Sequence, residues 1–278
     1  MIVSDSKMLE MKPDSITFVP IGGLCNRMRA MASGVYMAGR LDCPIDVYWE
    51  KNGECFAGFS ELFQPVCVDG VLIRPFTAGH FYLAMDRKRN LHIPGMIRNV
   101  LFDRQIVDKN RFFSDSAIEQ LDGKLYIISE YPMSQKYSLT GLFVPAPDIM
   151  AQVNSLKEQF SEDIIGIHIR RKDNKHSIEK NSIEDYFHFM DQKLSKSPDS
   201  MFYLATDSME VKKEMISRYK DTIIYHDATL ERNSVQGMKD AVVDLWCLSQ
   251  TKEIIGSYYS SYSDIAAELG HIKLRILE

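Results

Sequence analysis

The chain has 278 residues, 45% of them hydrophobic and 26% charged, with 15 glycines and 10 prolines. That length suits one large or two modest globular domains, and the balance argues against a disordered or fibrous chain. The net charge of −5 argues against bulk nucleic-acid binding, which favours a basic surface, so any anion site has to be local.

The opening stretch, MIVSDSKMLEMKPDS, has neither the apolar core nor the basic start of a signal peptide. No apolar run approaches the roughly 20 residues that span a bilayer, so no integral membrane segment is expected. Five scattered cysteines without a C-x-x-C pair (Cys25, Cys43, Cys55, Cys67 and Cys247) suit reduced thiols. Together these features point to a cytoplasmic protein.

SITFVP from Ser15 predicts a strand and IGGLCNR a turn. NRMRAMASGVYMAG predicts a helix whose apolar face carries Met28, Met31, Ala32, Val35 and Met37. IDVYWE reads as the next strand, giving the strand–turn–helix–strand order of a parallel sheet. Aromatics, Gly79 and the Pro94-Gly95 pair suggest short helices and loops over residues 55–122, and KLYIISEYP a strand. The two prolines of LFVPAPDIM mark a domain junction.

Beyond it the alternation is regular. DIMAQVNSLKEQF predicts a helix and DIIGIHI a strand. SIEDYFHFMDQKL predicts a helix capped by Ser182 with Asp185, burying Ile183, Phe187, Met190 and Leu194. MFYLATD, TIIYHD and EIIGS read as strands, MEVKKEMISRY and VQGMKDAVVDLWCLSQ as helices, and SDIAAELG as a last helix ended by Gly270. An α/β fold is predicted for the second half, and the first half looks like another α/β domain.

Ligands of doubly wound sheets gather beyond the carboxyl ends of the strands. Four polar clusters fall there: His168 to Asp173, Thr206-Asp207, His226-Asp227 and Ser257 to Ser263. Arg170 and Arg171 present permanent charge and paired donors suited to phosphate, or else form surface ion pairs with Asp173 or Glu179. His168 suits a phosphate or sugar contact, or a satisfied place in the core. The serines before the last helix suit a phosphate seat, with Ser261 or Ser263 as N-cap. Asp240 and Asp244 stand one helical turn apart. A carboxylate there matches the paired donors of guanine, although a solvated helix face is the simpler reading for Asp240; Asp207 closes a buried strand. Gly22 and Gly23 allow close backbone approach, while Asn26 caps the helix or touches a ligand. D-x-D, the pair that holds a metal in many nucleotide-sugar enzymes, does not occur.

GIHIRRKD, YLATD and DLWCLSQTKEIIGSYYSSYSDIAAEL, in that order, resemble the GDP-fucose-dependent fucosyltransferases, above all the α1,6 branch with its bacterial nodulation enzymes. GGLCNRM resembles the G-G-L-G-N loop of the α1,2 branch, with Cys25 where glycine is usual. The likeness covers roughly residues 160–270 and that loop. It implies a GT-B fold, two Rossmann-like domains with a cleft between them: an acceptor-side domain over 1–146 and a GDP-sugar-binding domain over 147–278.

The resemblance also implies inverting transfer of L-fucose from GDP-fucose to an oligosaccharide acceptor, with no metal or other cofactor. At the matching positions Arg170 and Arg171 hold the diphosphate, with Ser260 or Ser261 adding donors. His168 lies under the nucleotide, Asp207 and Asp244 contact the guanosine or position its neighbours, and Asn26 and Gly23 face the donor. The general base of the α1,6 branch is a glutamate a few residues past the arginines. Glu179 is the glutamate of that region here, one residue out of register, and Asp173 is the second candidate. The alternatives are a transferase using another nucleotide sugar and a GDP-sugar-binding protein without catalysis.

Overall fold

The computed structural model describes residues 12–107, 112–171, 180, 182–231 and 233–277. It divides into two compact units, Met1–Glu50 with Val66–Leu142, and Lys51–Pro65 with Phe143–Glu278. The elements begin β1 (Ser15–Pro20), α1 (Leu24–Leu41), β2 (Ile45–Trp49), α2 (Phe59–Leu62) and β3 (Val71–Pro75). They continue with α3 (Ile93–Leu101), β4 (Arg104–Val107), α4 (Asp115–Ile118), β5 (Lys124–Ser129) and α5 (Pro147–Lys157). Then come β6 (Ile165–Ile169), α6 (Ile183–Lys196), β7 (Phe202–Thr206), α7 (Met209–Tyr219) and β8 (Ile223–Tyr225). The last are α8 (Val235–Ser249), β9 (Glu253–Gly256), α9 (Ser261–Gly270) and β10 (Lys273–Ile276).

In the first unit the strands run in the order β3-β2-β1-β5-β4, every pairing parallel. β1 is central, with Ile16 and Phe18 buried, and α1 buries Met28, Met31, Ala32 and Met37 of the predicted face while Val35 is half-buried. Two strands, β3 and β4, occupy the stretch read as short helices and loops. Both are edge strands with a single buried residue each, Val71 and Ile106, so they carry no alternation for a sequence reading to find.

The second unit has the order β10-β9-β6-β7-β8, again all parallel. β6 is buried along its whole length, as a central parallel strand covered on both faces should be. Ile165, Ile167 and Ile169 pack with Tyr186, Phe187 and Met190 of α6 and with Val211, Met215 and Tyr219 of α7. Full burial of each isoleucine side chain contributes roughly 1.5–3 kcal/mol. Gly166, on the opposite face, lies against Leu248 of α8 and Thr251. The Ser182–Asp185 capping box starts α6 as expected. At the end of α9 the left-handed residue is His271, not Gly270, which is still helical.

Candidate functional site

Because β6, β7, β8 and β9 are parallel, their carboxyl ends share one edge of the second unit's sheet. The described residues of the four polar clusters singled out in the sequence leave from it. Ser257, just past β9, ties neighbouring strand ends together. Its hydroxyl accepts from the Arg170 backbone N–H at 2.9 Å, donates to the His168 carbonyl at 3.0 Å and lies 3.1 Å from the Tyr186 hydroxyl. On the other side, the Asp207 carboxylate accepts from the Arg171 backbone N–H at 2.7 Å. The arginine pair is therefore held by its backbone from both neighbouring strands.

Among the described residues, three polar atoms at this edge are buried without a hydrogen-bond partner: Nη2 of Arg171, the hydroxyl of Ser260 and Nδ1 of His226. Leaving a buried polar group unpaired costs about 1–3 kcal/mol, more for a charged one, so such groups call for a ligand. Ser260 stands at the N-cap of α9 but makes no side-chain cap. Nor does Ser263 cap the helix, as had been one expectation. Its hydroxyl shares a 2.7 Å hydrogen bond with Nδ1 of His168 and accepts from the Ser257 N–H at 3.2 Å. Ser261 is the first helical residue. Gly256 permits this close approach, since a Cβ there would lie 2.7 Å from the Ser263 hydroxyl.

His168 is buried, with its ring centroid 4.8 Å from that of Tyr262, whose hydroxyl donates to the Ala241 carbonyl at 2.6 Å. The histidine thus sits in a fixed, hydrogen-bonded setting behind the arginine loop. Asp240 is not on a solvated helix face. It is buried, accepting from the Thr229 N–H and hydroxyl at 2.9 and 3.1 Å and from Gln236 at 2.7 Å. Asp244 is also buried, and the Tyr203 hydroxyl donates to it at 2.6 Å. Burial pushes its pKa up to about 7, partly offset by that hydrogen bond. Of the two roles considered for Asp244, positioning its neighbours fits this sealed setting better than direct ligand contact.

Lys212 is a functional neighbour that no sequence signal marks. It is buried and donates to the His226 carbonyl at 2.7 Å, with Nζ 5.0 Å from the centre of the Tyr225 ring, anchoring the loop after β8. Nothing in KK distinguishes it from exposed Lys213. Tyr186 was likewise unmarked. In the same loop, burial lowers the pKa of His226, whose Nδ1 is buried without a partner.

In the first unit, Gly22 takes φ +81°, a conformation glycine adopts without steric cost, and Gly23 is the N-cap of α1. Asn26 is therefore inside the first turn and not the cap. Arg27 is fully buried, donating from Nε to the Gly22 carbonyl at 2.7 Å and from Nη1 to the Glu50 carbonyl. A Cβ at Gly22 would lie 3.0 Å from an oxygen of Glu130 and 3.3 Å from the Asn26 Cβ. Glu130, just past β5, is an acid that the sequence reading passed over. Asp173 and Glu179, the base candidates, lie outside the described residues. Among the described residues no three His, Cys, Asp or Glu side chains are grouped to hold a metal ion, and no helix is long and apolar enough to cross a membrane.

Two parallel-stranded α/β units, the second with a buried guanidinium donor at its carboxyl edge, make an α/β fold similar to that of fucosyltransferases of GT-B type. Residues 140–272 match the family described as "Alpha-(1,6)-fucosyltransferase N- and catalytic domains". Fucosyltransferase NodZ from Bradyrhizobium shares the fold at 16% identity and a TM-score of 0.59, over 92% of each chain. An arginine-to-lysine variant of Arabidopsis thaliana FUT1, in complex with GDP, matches 96% of this chain and 70% of its own at 15% identity and a TM-score of 0.62. POFUT1 in complex with GDP matches at 12% identity and a TM-score of 0.58, over 96% of this chain and 99% of its own. A search of curated protein sequences gave no match. The family match thus covers just under half of the chain, residues 140–272, and over the whole chain the fold is similar to that of these fucosyltransferases.

Proposed function

We propose that the chain is a cytoplasmic, inverting, metal-independent fucosyltransferase that moves L-fucose from GDP-β-L-fucose to a hydroxyl of an oligosaccharide. The observation that carries this reading is the unpartnered, buried Nη2 of Arg171 on a loop clamped by Ser257 and Asp207. Its support is the family match over the same half of the chain, together with similar folds solved with GDP and soaked with GDP-fucose.

In the proposed reaction the acceptor oxygen attacks C1 of fucose from the face opposite GDP. The C1–O bond to the diphosphate breaks, and its electron pair leaves with GDP. The acceptor proton passes to a general base, for which Asp173 and Glu179 are the candidates. Arg170 and Arg171 meet the charge that grows on the departing diphosphate, and the Ser260 hydroxyl adds a neutral donor. Because the backbone clamp fixes Arg170 and Arg171 beforehand, little reorganisation is needed as that charge develops. Asn26 and Gly23 are assigned to the donor. The reading is tested by offering GDP-fucose, other GDP-sugars and UDP-sugars with a panel of acceptor glycans, in chelator, and weighing the products. Fucosylated product with GDP-fucose supports it; strict dependence on manganese, or transfer from a UDP-sugar alone, overturns it.

A further inference from the structure

α3 is amphipathic in the reverse of the usual sense. Its inward side carries Pro94 and Arg98, both buried, while Ile93, Met96, Val100 and Leu101 are exposed, Val100 at 85% and Met96 at 67%. At a helical spacing of 100° per residue these four fall on one side of the helix. The preceding Leu91 is exposed as well.

This orientation is anchored. The Arg98 guanidinium donates to the Tyr82 and Ala84 carbonyls at 2.9 and 2.5 Å, to Gln105 at 3.0 Å and to Asp86 at 3.1 Å, and lies 4.5 Å from the centre of the Tyr126 ring. Turning the apolar side inward would strip a buried arginine of all these partners. The outward apolar stripe is therefore a fixed property of the fold.

The turn leading into α3 is cationic. Arg87, Lys88 and Arg89 are consecutive and exposed. The neighbouring Asp86 is already engaged, accepting from the Gly95 N–H at 2.7 Å and from Arg98. On a chain whose net charge is −5, three cations beside an apolar stripe make a local surface suited to a partner both anionic and apolar. A second copy fits less well, since a two-fold contact through this side would bring two cationic turns into one interface.

We propose that α3 and the Arg87–Arg89 turn form a docking surface for an anionic lipid bilayer. A nine-residue helix is about 14 Å long, far too short to cross hydrocarbon but enough to lie in the headgroup region with its apolar side down. The cations meet anionic headgroups, an attraction that fades with salt. This inference is independent of the transfer reaction.

The test is flotation of the full chain with vesicles of phosphatidylglycerol and phosphatidylcholine, against phosphatidylcholine alone, at low and high salt. The expected result is flotation with the anionic vesicles at low salt, with release by salt. Lys88→Glu/Arg89→Glu should lower partitioning more than tenfold, at roughly fivefold per cation lost. Met96→Glu/Val100→Glu should lower it about as much, and both variants should keep the wild-type melting temperature because the changed side chains are exposed. Absence of flotation by the wild type, or wild-type flotation by both variants, overturns the proposal. So does a wild-type dimer that ignores vesicles and that Met96→Glu/Val100→Glu converts to monomer, which assigns the surface to a second copy.

Discussion

Replacing Asp244 by asparagine should remove a specific pH dependence of stability. The carboxyl is buried, hydrogen-bonded by Tyr203, and its pKa is pushed up to about 7 by burial; in the unfolded chain it returns to about 3.9. Between those values the folded protein holds a proton that the unfolded chain has released, so stability falls as pH rises from about 4 to about 7 and levels off above. Some three pH units at about 1.4 kcal/mol each make the full effect about 4 kcal/mol. Asparagine keeps the shape and an oxygen to accept the Tyr203 hydroxyl, but does not titrate. Other groups contribute equally to both proteins, so the difference between their urea-unfolding free energies, measured from pH 4 to pH 8, isolates Asp244. That difference should shift by a few kcal/mol in favour of the variant, most steeply between pH 5 and pH 7. Parallel curves across the range would mean the carboxyl is not held protonated in the fold, refuting the reasoning.

Two further substitutions probe the scaffold by urea unfolding. Gly256→Ala places a methyl group against the Ser263 hydroxyl and Leu274; it should cost about 1–3 kcal/mol and weaken GDP binding by disturbing the serine network. Arg98→Met strips the Tyr82 and Ala84 carbonyls of their donor and Asp86 of its cation. It should destabilise the first unit by about 3 kcal/mol or more, and a loss below 1 kcal/mol would show that the buried arginine is not what fixes α3.

The second unit was largely legible because its strands are central and continuous in apolar character: IIGIHI and MFYLAT can be little else between helices of regular period. The edge strands were not. VLIRP and RQIV bury one residue each, and a strand that presents one side to solvent leaves a faint pattern. Residues 51–65 group with the second unit, a long-range association that no local composition signals. At the site, residue types pointed to Arg170, Arg171 and the serine run. Which serine does what depended on packing: Ser257 joins strand ends, Ser263 turns to His168, and Ser260 is left with an unpaired hydroxyl. Asp240 read as a solvated charge and Lys212 went unmarked because helical spacing does not reveal that both are buried beside the loop after β8.

The most direct measurement is a calorimetric titration of GDP, in chelator, into the wild type, Arg171→Ala and Arg171→Lys. Loss of a charge-assisted hydrogen bond of about 1.5–3 kcal/mol should weaken binding by roughly tenfold or more in the alanine variant. Lysine should recover only part of it, because a point charge does not reproduce the planar fork. Equal affinity in all three proteins would contradict the assignment of Arg171 to the diphosphate.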